Sequence, residues 1–251
     1  IILIGYTAGR LFTSGSGNVV VGDSAFYSAG ARIRNTVMGS GAMYDATTAS
    51  NNISIGWSNL ANITTGNDNT ALGYQAGHTL TTTGKTVLLG YQAGYAINAT
   101  GADGTVAIGY QAGAAITSGA GNLAIGYLAG SSTTSGYNNT FIGYEAGNDN
   151  TTGYENTFVG QKAGHHGDVT SHQSSQNVYV GSFAGENLDD GSRNVAIGRG
   201  AMRAVEADGN YSLQNVAVGY GALSSATDAA YNVCIGANAG NKIGNGARNV
   251  C

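Results

Sequence analysis

Proline is absent from all 251 residues of this chain, and cysteine occurs only twice. Forty-two glycines without one proline fit neither collagen nor a disordered linker, since both use proline freely. Charge is scarce as well: 10% of residues are charged, about half or less of the usual share. With a net charge of -4, the chain carries no basic footprint for nucleic acid or for an anionic membrane surface. No apolar run approaches the roughly 18–20 residues that cross a bilayer, so membrane insertion is not expected. Neither an initiator Met nor a signal segment is visible, and the chain starts and stops in mid-pattern. It therefore reads as a segment of a longer polypeptide.

What the chain has is a repeat. A Gly follows a short aliphatic run at Gly5, Gly22, Gly39, Gly56, Gly73, Gly90, Gly109, Gly126, Gly143, Gly160, Gly181, Gly198, Gly219 and Gly236. Ten of the thirteen intervals are 17 residues; the others are 19 once and 21 twice. Extra residues that leave the frame intact belong to loops on a repeating scaffold, here at 161–176 and 199–214. Counting from each Gly as zero, position −1 is aliphatic or Met and position −3 is Val, Ile, Leu or Thr. Position +3 is Ala everywhere except Asn59, and position −4 is mostly Asn, as at Asn122, Asn139 and Asn156.

Seventeen residues are too few for a helical-hairpin repeat of about 34. β-Branched residues at alternate positions, bounded by Gly and Asn, predict short strands with turns. One circuit per repeat, stacked on the next, is an all-β parallel β-solenoid of about 14 coils forming a single domain over 1–251. Absence of proline agrees, because nearly every strand N–H would be needed by the next coil. The Asn column is expected to satisfy turn groups and to form an amide ladder.

Alternation predicts that positions −3 and −1, including Ile108, Ile125 and Ile142, fill the coil together with the +3 Ala. Position −2 then faces outward. It includes Leu88, Ala107, Ala124, Phe141, Phe158, Tyr179 and Ala196, which is apolar enough to predict a self-association face.

The units Asn122-Leu123-Ala124-Ile125-Gly126-Tyr127, Asn194-Val195-Ala196-Ile197-Gly198 and Asn215-Val216-Ala217-Val218-Gly219-Tyr220 resemble repeats of bacteriophage tail-fibre proteins. They are also similar to the head repeats of trimeric autotransporter adhesins, which form left-handed parallel β-rolls. The resemblance spans essentially the whole chain, with Gly73, Gly90, Gly109, Gly126, Gly143 and Gly160 at the invariant position. It implies a homotrimeric fibre or adhesin shaft, on a virion or outside the cell, that spaces or presents contact with a host-surface glycan or protein. The 17-residue spacing and the Gly-Tyr pair favour the tail-fibre version over a bacterial surface filament.

Individual residues add less. Tyr74, Tyr91, Tyr110, Tyr127 and Tyr144 recur at position +1, as does Trp57; they are expected to form a structural ladder, with receptor contact the alternative. His165, His166 and His172 with Asp168 supply ligand types for a metal, but their spacing matches no zinc pattern, so no metal or cofactor is assigned. Cys234 and Cys251 occupy equivalent slots one coil apart and are expected to be free, buried thiols. Thr-Thr pairs such as Thr47-Thr48 and Thr151-Thr152 admit an ice-binding reading, and a solenoid polysaccharide-cleaving enzyme is a further alternative. No Ser/His/Asp setting or phosphate loop supports catalysis.

Overall fold

The computed structural model describes residues 1–98, 100–165, 174–188, 191–203, 212–225, 229–243 and 246–251. The chain divides into two compact units, Ile1–Asn122 and Leu123–Cys251, and each is a parallel β-solenoid built on the 17-residue repeat. The first unit stacks Ile2–Ile4, Val19–Val21, Thr36–Met38, Ile53–Ile55, Thr70–Leu72, Val87–Leu89 and Val106–Ile108 in that order. A short second ladder, Phe12–Ser14 on Gly30–Ala31, lies in the same unit. The second unit stacks Leu123–Ile125, Thr140–Ile142, Thr157–Val159, Val178–Val180, Val195–Ile197, Val216–Val218 and Val233–Ile235. Equivalent repeat positions pair in register, as Phe141 does with Phe158 and Phe158 with Tyr179. The only helical turn among the described residues is the 3-10 segment Thr100–Ala102, in the 19-residue repeat.

The Gly at position zero makes the coil possible. At Gly143, φ is +136°, and a Cβ would lie 2.5 Å from the carbonyl oxygen of Gly160. Only glycine combines that backbone with so close an approach to the next coil. Side chains also stand in the left-handed region elsewhere: at position +2, as at Gln75 and Glu145, and position +12, as at Lys85 and Glu155, with φ between 52° and 59°, and at position +4 in Phe26, Met43 and Leu60, with φ between 47° and 56°.

The interior reverses the expected assignment of the strand faces. Leu88, Ala107, Ala124, Phe141, Phe158, Tyr179 and Ala196 are at most 1% exposed and fill the coil, so they are not a self-association face. Ile108, Ile125 and Ile142 point outward, half-buried, and at the same position Leu72 is 48% and Ile197 41% exposed. The reason lies in the Asn column. Position −4 shares its face with −2, two residues on. The Asn side chains are inside, where each amide is fully used. Asn156 Nδ2 donates to Asn139 Oδ1 (3.1 Å) and its Oδ1 accepts from the N–H (3.0 Å) and Nδ2 (3.2 Å) of Asn177. The ladder runs likewise through Asn18, Asn35, Asn52 and Asn69 to Thr86. Burying Asn inside therefore carries position −2 inside with it.

The core is thin, and two columns share its volume. Where −2 is Phe141, Phe158 or Tyr179, position +4 of the same coil is glycine; a Cβ on Gly164 would lie 2.4 Å from the Phe158 ring. Where +4 is Phe26, Met43 or Leu60, all buried, −2 is only Val20, Val37 or Ser54. Ser54 and Asn59 are exceptions to their columns in the same coil. They satisfy each other, Ser54 Oγ lying 2.8 Å from Asn59 Oδ1, while Asn59 Nδ2 donates to the Gly73 carbonyl (3.0 Å). A third unexpected interior residue is Arg32. Its guanidinium donates to the Phe26 and Ser28 carbonyls and lies 4.1 Å from the Phe26 ring centroid; burial lowers its pKa to about 10.

Cys234 and Cys251 form a disulfide, with Cα atoms 4.5 Å apart. The expectation of free thiols fails because Gly240, at +4, leaves the room a side chain would fill: its Cβ would stand 2.5 Å from Cys234 Sγ.

Candidate interaction surface

The outward columns −3 and −1 are the most distinctive surface of either unit. In the first unit they carry Ile2, Val19, Thr36, Ile53, Thr70, Val87 and Val106 beside Ile4, Val21, Met38, Ile55, Leu72, Leu89 and Ile108. In the second they carry Leu123, Thr140, Thr157, Val178, Val195, Val216 and Val233 beside Ile125, Ile142, Val159, Val180, Ile197, Val218 and Ile235. No charged side chain stands in either column, and Thr is the only polar type. These positions were expected inside. The in-phase Asn at −4 was the sequence signal that placed them outside.

Next to this stripe, past the Gly bend, stands the aromatic column. Trp57, Tyr74, Tyr91 and Tyr110 stack ring on ring with centroids 5.1 Å apart and planes within 10°, and Tyr127 stacks on Tyr144 in the same way. The expected ladder is therefore present. Its consequence for receptor contact is specific: stacking covers the ring faces of Tyr74 and Tyr91 on both sides, leaving edges and hydroxyls outward at 42% exposure. A sugar that packs on an aromatic face finds none free there. Beside it, Gln75, Gln92 and Gln111 form an amide ladder with N–O distances of 3.0 and 2.9 Å. Tyr144 meets Glu145, whose hydrogen bond and charge raise the phenol pKa.

Other candidates come out as scaffold. Thr47, Thr64 and Thr134 donate their hydroxyls to the carbonyls of Thr64, Thr81 and Thr151 in the next coil, so these protons are committed along the stack rather than offered to water. His165 Nε2 lies 3.6 Å from Glu145 Oε2 and 3.7 Å from Asp149 Oδ2, and Lys162 Nζ lies 3.4 Å from the same Glu145 oxygen. This is an ion-pair group tying one coil to the next. His166, His172 and Asp168 lie outside the described residues, as do parts of both longer loops. Among the described residues, no group of three or more His, Cys, Asp or Glu is placed to hold a metal. Nor is any described helix long and apolar enough to cross a membrane.

No protein-family model, curated protein or solved structure matches the chain.

Proposed function

We propose that the chain is a non-catalytic structural segment of an extracellular fibre, a bacteriophage tail fibre by the resemblance of its repeats. Copies of it associate laterally through the outward −3/−1 stripe, as a trimer. One observation carries this: a flat parallel sheet face without a single charge in two full columns of either unit. Seven strands at about 4.8 Å, each three residues of about 3.3 Å, give a face of about 330 Å² per unit. That is the size of the largest apolar patch on a typical monomer, which is often functional. An uncharged face presents no Coulomb barrier to its own copy. The disulfide fits an oxidising location outside the cell or on a virion. The chain's role is mechanical, spacing or presenting contacts with a host-surface glycan or protein.

Sedimentation velocity of the soluble chain tests the reading, alone and with Ile125→Lys and Ile142→Lys combined. The wild type is expected to sediment as an oligomer and the variant as a folded monomer with an unchanged far-UV spectrum. A wild type that is monomeric at tens of micromolar overturns the reading.

A further inference from the structure

The aromatic column has a gap, and the gap has the makings of a site. In the first unit, position +1 runs Tyr6, Asp23, Ser40, Trp57 and then the tyrosine stack. These four residues lie on consecutive coils held by backbone hydrogen bonds, Ser24 N–H to Tyr6 O (2.8 Å), Gly41 N–H to Asp23 O (2.9 Å) and Ser58 N–H to Ser40 O (2.9 Å). Trp57 stacks one indole face on Tyr74, within 10° of parallel, and turns the other toward the coil that carries Ser40. It is 50% exposed, and Tyr6 stands at the far end of the gap. Between them the floor is small and polar: Asp23 and Ser40 at +1, Ser24, Gly41 and Ser58 at +2. Among the described residues, the exposed Asp23 carboxylate has no hydrogen-bond or ion-pair partner.

We propose that this notch binds a neutral saccharide, with one pyranose packed on the free face of Trp57 and a vicinal hydroxyl pair donating to Asp23. Three coil spacings of about 4.8 Å put the two aromatic positions about 14 Å apart. Two rings so far apart cannot both lie within about 6 Å of one organic cation, so Tyr6 and Trp57 do not form a cation cage together. A carboxylate accepts two hydroxyl donors at once and repels an acidic sugar. The adjoining stack holds the indole in place before any ligand arrives, so little ordering remains to be done on binding. The inference supplies a ligand class for the attachment part of the function proposed above, and it is independent of the self-association part.

Trp57 is the chain's single tryptophan, so its fluorescence reports on this site alone. The full chain is titrated with maltotriose, cellotriose, chitotriose and a galacto-trisaccharide, and separately with choline and 3′-sialyllactose. At least one neutral oligosaccharide is expected to shift the emission saturably in the millimolar range, with binding confirmed by calorimetry. Asp23→Asn is expected to weaken it about tenfold, as loss of a charged acceptor does. Trp57→Ala abolishes the calorimetric signal, and Tyr91→Ala, inside the stack, leaves the affinity within twofold. Response to none of the neutral sugars overturns the proposal, as does a response to choline or the acidic sugar alone, or an equal loss in Tyr91→Ala. Sedimentation is read on the same samples, so failure to bind sugar and failure to associate are separate results.

Discussion

At Gly143 one hydrogen atom separates a coil from a clash. The backbone there, at φ +136°, is closed to residues with a Cβ, and the Gly160 carbonyl already occupies the space. Gly143→Ala is expected to cost about 3 kcal/mol or more in chemical denaturation, combining backbone strain with displacement of the next coil. Lys85 is the opposite case. It is exposed, sits at φ 59°, and its side chain has no hydrogen-bond or ion-pair partner among the described residues. Glycine would take that left-handed conformation without the steric cost of a Cβ, so Lys85→Gly is expected to be neutral or to raise stability by up to about 1 kcal/mol. The two substitutions separate positions where the repeat requires glycine from positions where it tolerates a side chain. The Asn ladder is stricter. Asn156→Ala would strip the N–H of buried Asn177 of its acceptor, leave Asn177 Nδ2 with only the Gly191 carbonyl, and leave Asn139 Oδ1 with only the backbone N–H of residue 156. A loss of about 2–4 kcal/mol in the same assay is expected.

At the scale of the coil, the unit of packing is the pair formed by −2 and +4. Phe158→Ala opens a cavity expected to cost about 3–5 kcal/mol. Gly164→Leu alone drives a side chain into the Phe158 ring and is also destabilising. The double variant resembles the native coil that holds Ser54 with Leu60, so it is expected to be more stable than either single change. Denaturation of the four proteins gives the coupling directly, and simple additivity would refute shared volume. His78 sits in another column, stacked on Tyr95 at 5.3 Å with its Nδ1 buried and unpartnered. Burial lowers its pKa below 6.5. The folded state thus holds its proton less well than the unfolded chain, and stability falls as pH drops below about 6.5. His78→Tyr, matching the Tyr27–Tyr44 stack in the same slot, is expected to shrink the loss of Tm between pH 7.5 and pH 5. Much of this element was legible beforehand: the strand positions, the bend at Gly, the Asn ladder and the aromatic stack all follow from period and residue type. The sign of the strand face was not, because −3, −2 and −1 are all apolar and hydrophobicity alone cannot orient three such residues. Asn156 could have oriented them, since its side chain needs partners inside and Phe158 lies two residues on. The disulfide escaped because Cys234 and Cys251 were weighed without Gly240, whose missing side chain makes their space.

For the molecule as a whole, a solenoid's stability is close to a sum of coil and nearest-neighbour terms, so a link between two coils acts locally. Cys251 pairs with Val233 and Ile235 through backbone bonds of 2.9 and 2.8 Å. The disulfide to Cys234 links these two neighbouring coils and closes a loop across a separation of 17 residues. In the chain-entropy picture such a closure contributes about 3 kcal/mol. That stabilisation is local, because the link joins only these two coils. Reduction with a thiol is therefore expected to raise amide exchange over 236–251 by about a hundredfold, the kinetic equivalent of about 3 kcal/mol. The ladder through Asn139, Asn156 and Asn177 should keep its protection. Hydrogen exchange read by mass spectrometry, with Cys251→Ser as the permanent counterpart of reduction, makes the comparison. Uniform loss of protection throughout the second unit would mean that its coils unfold as one cooperative block, and that the link holds the unit rather than two coils.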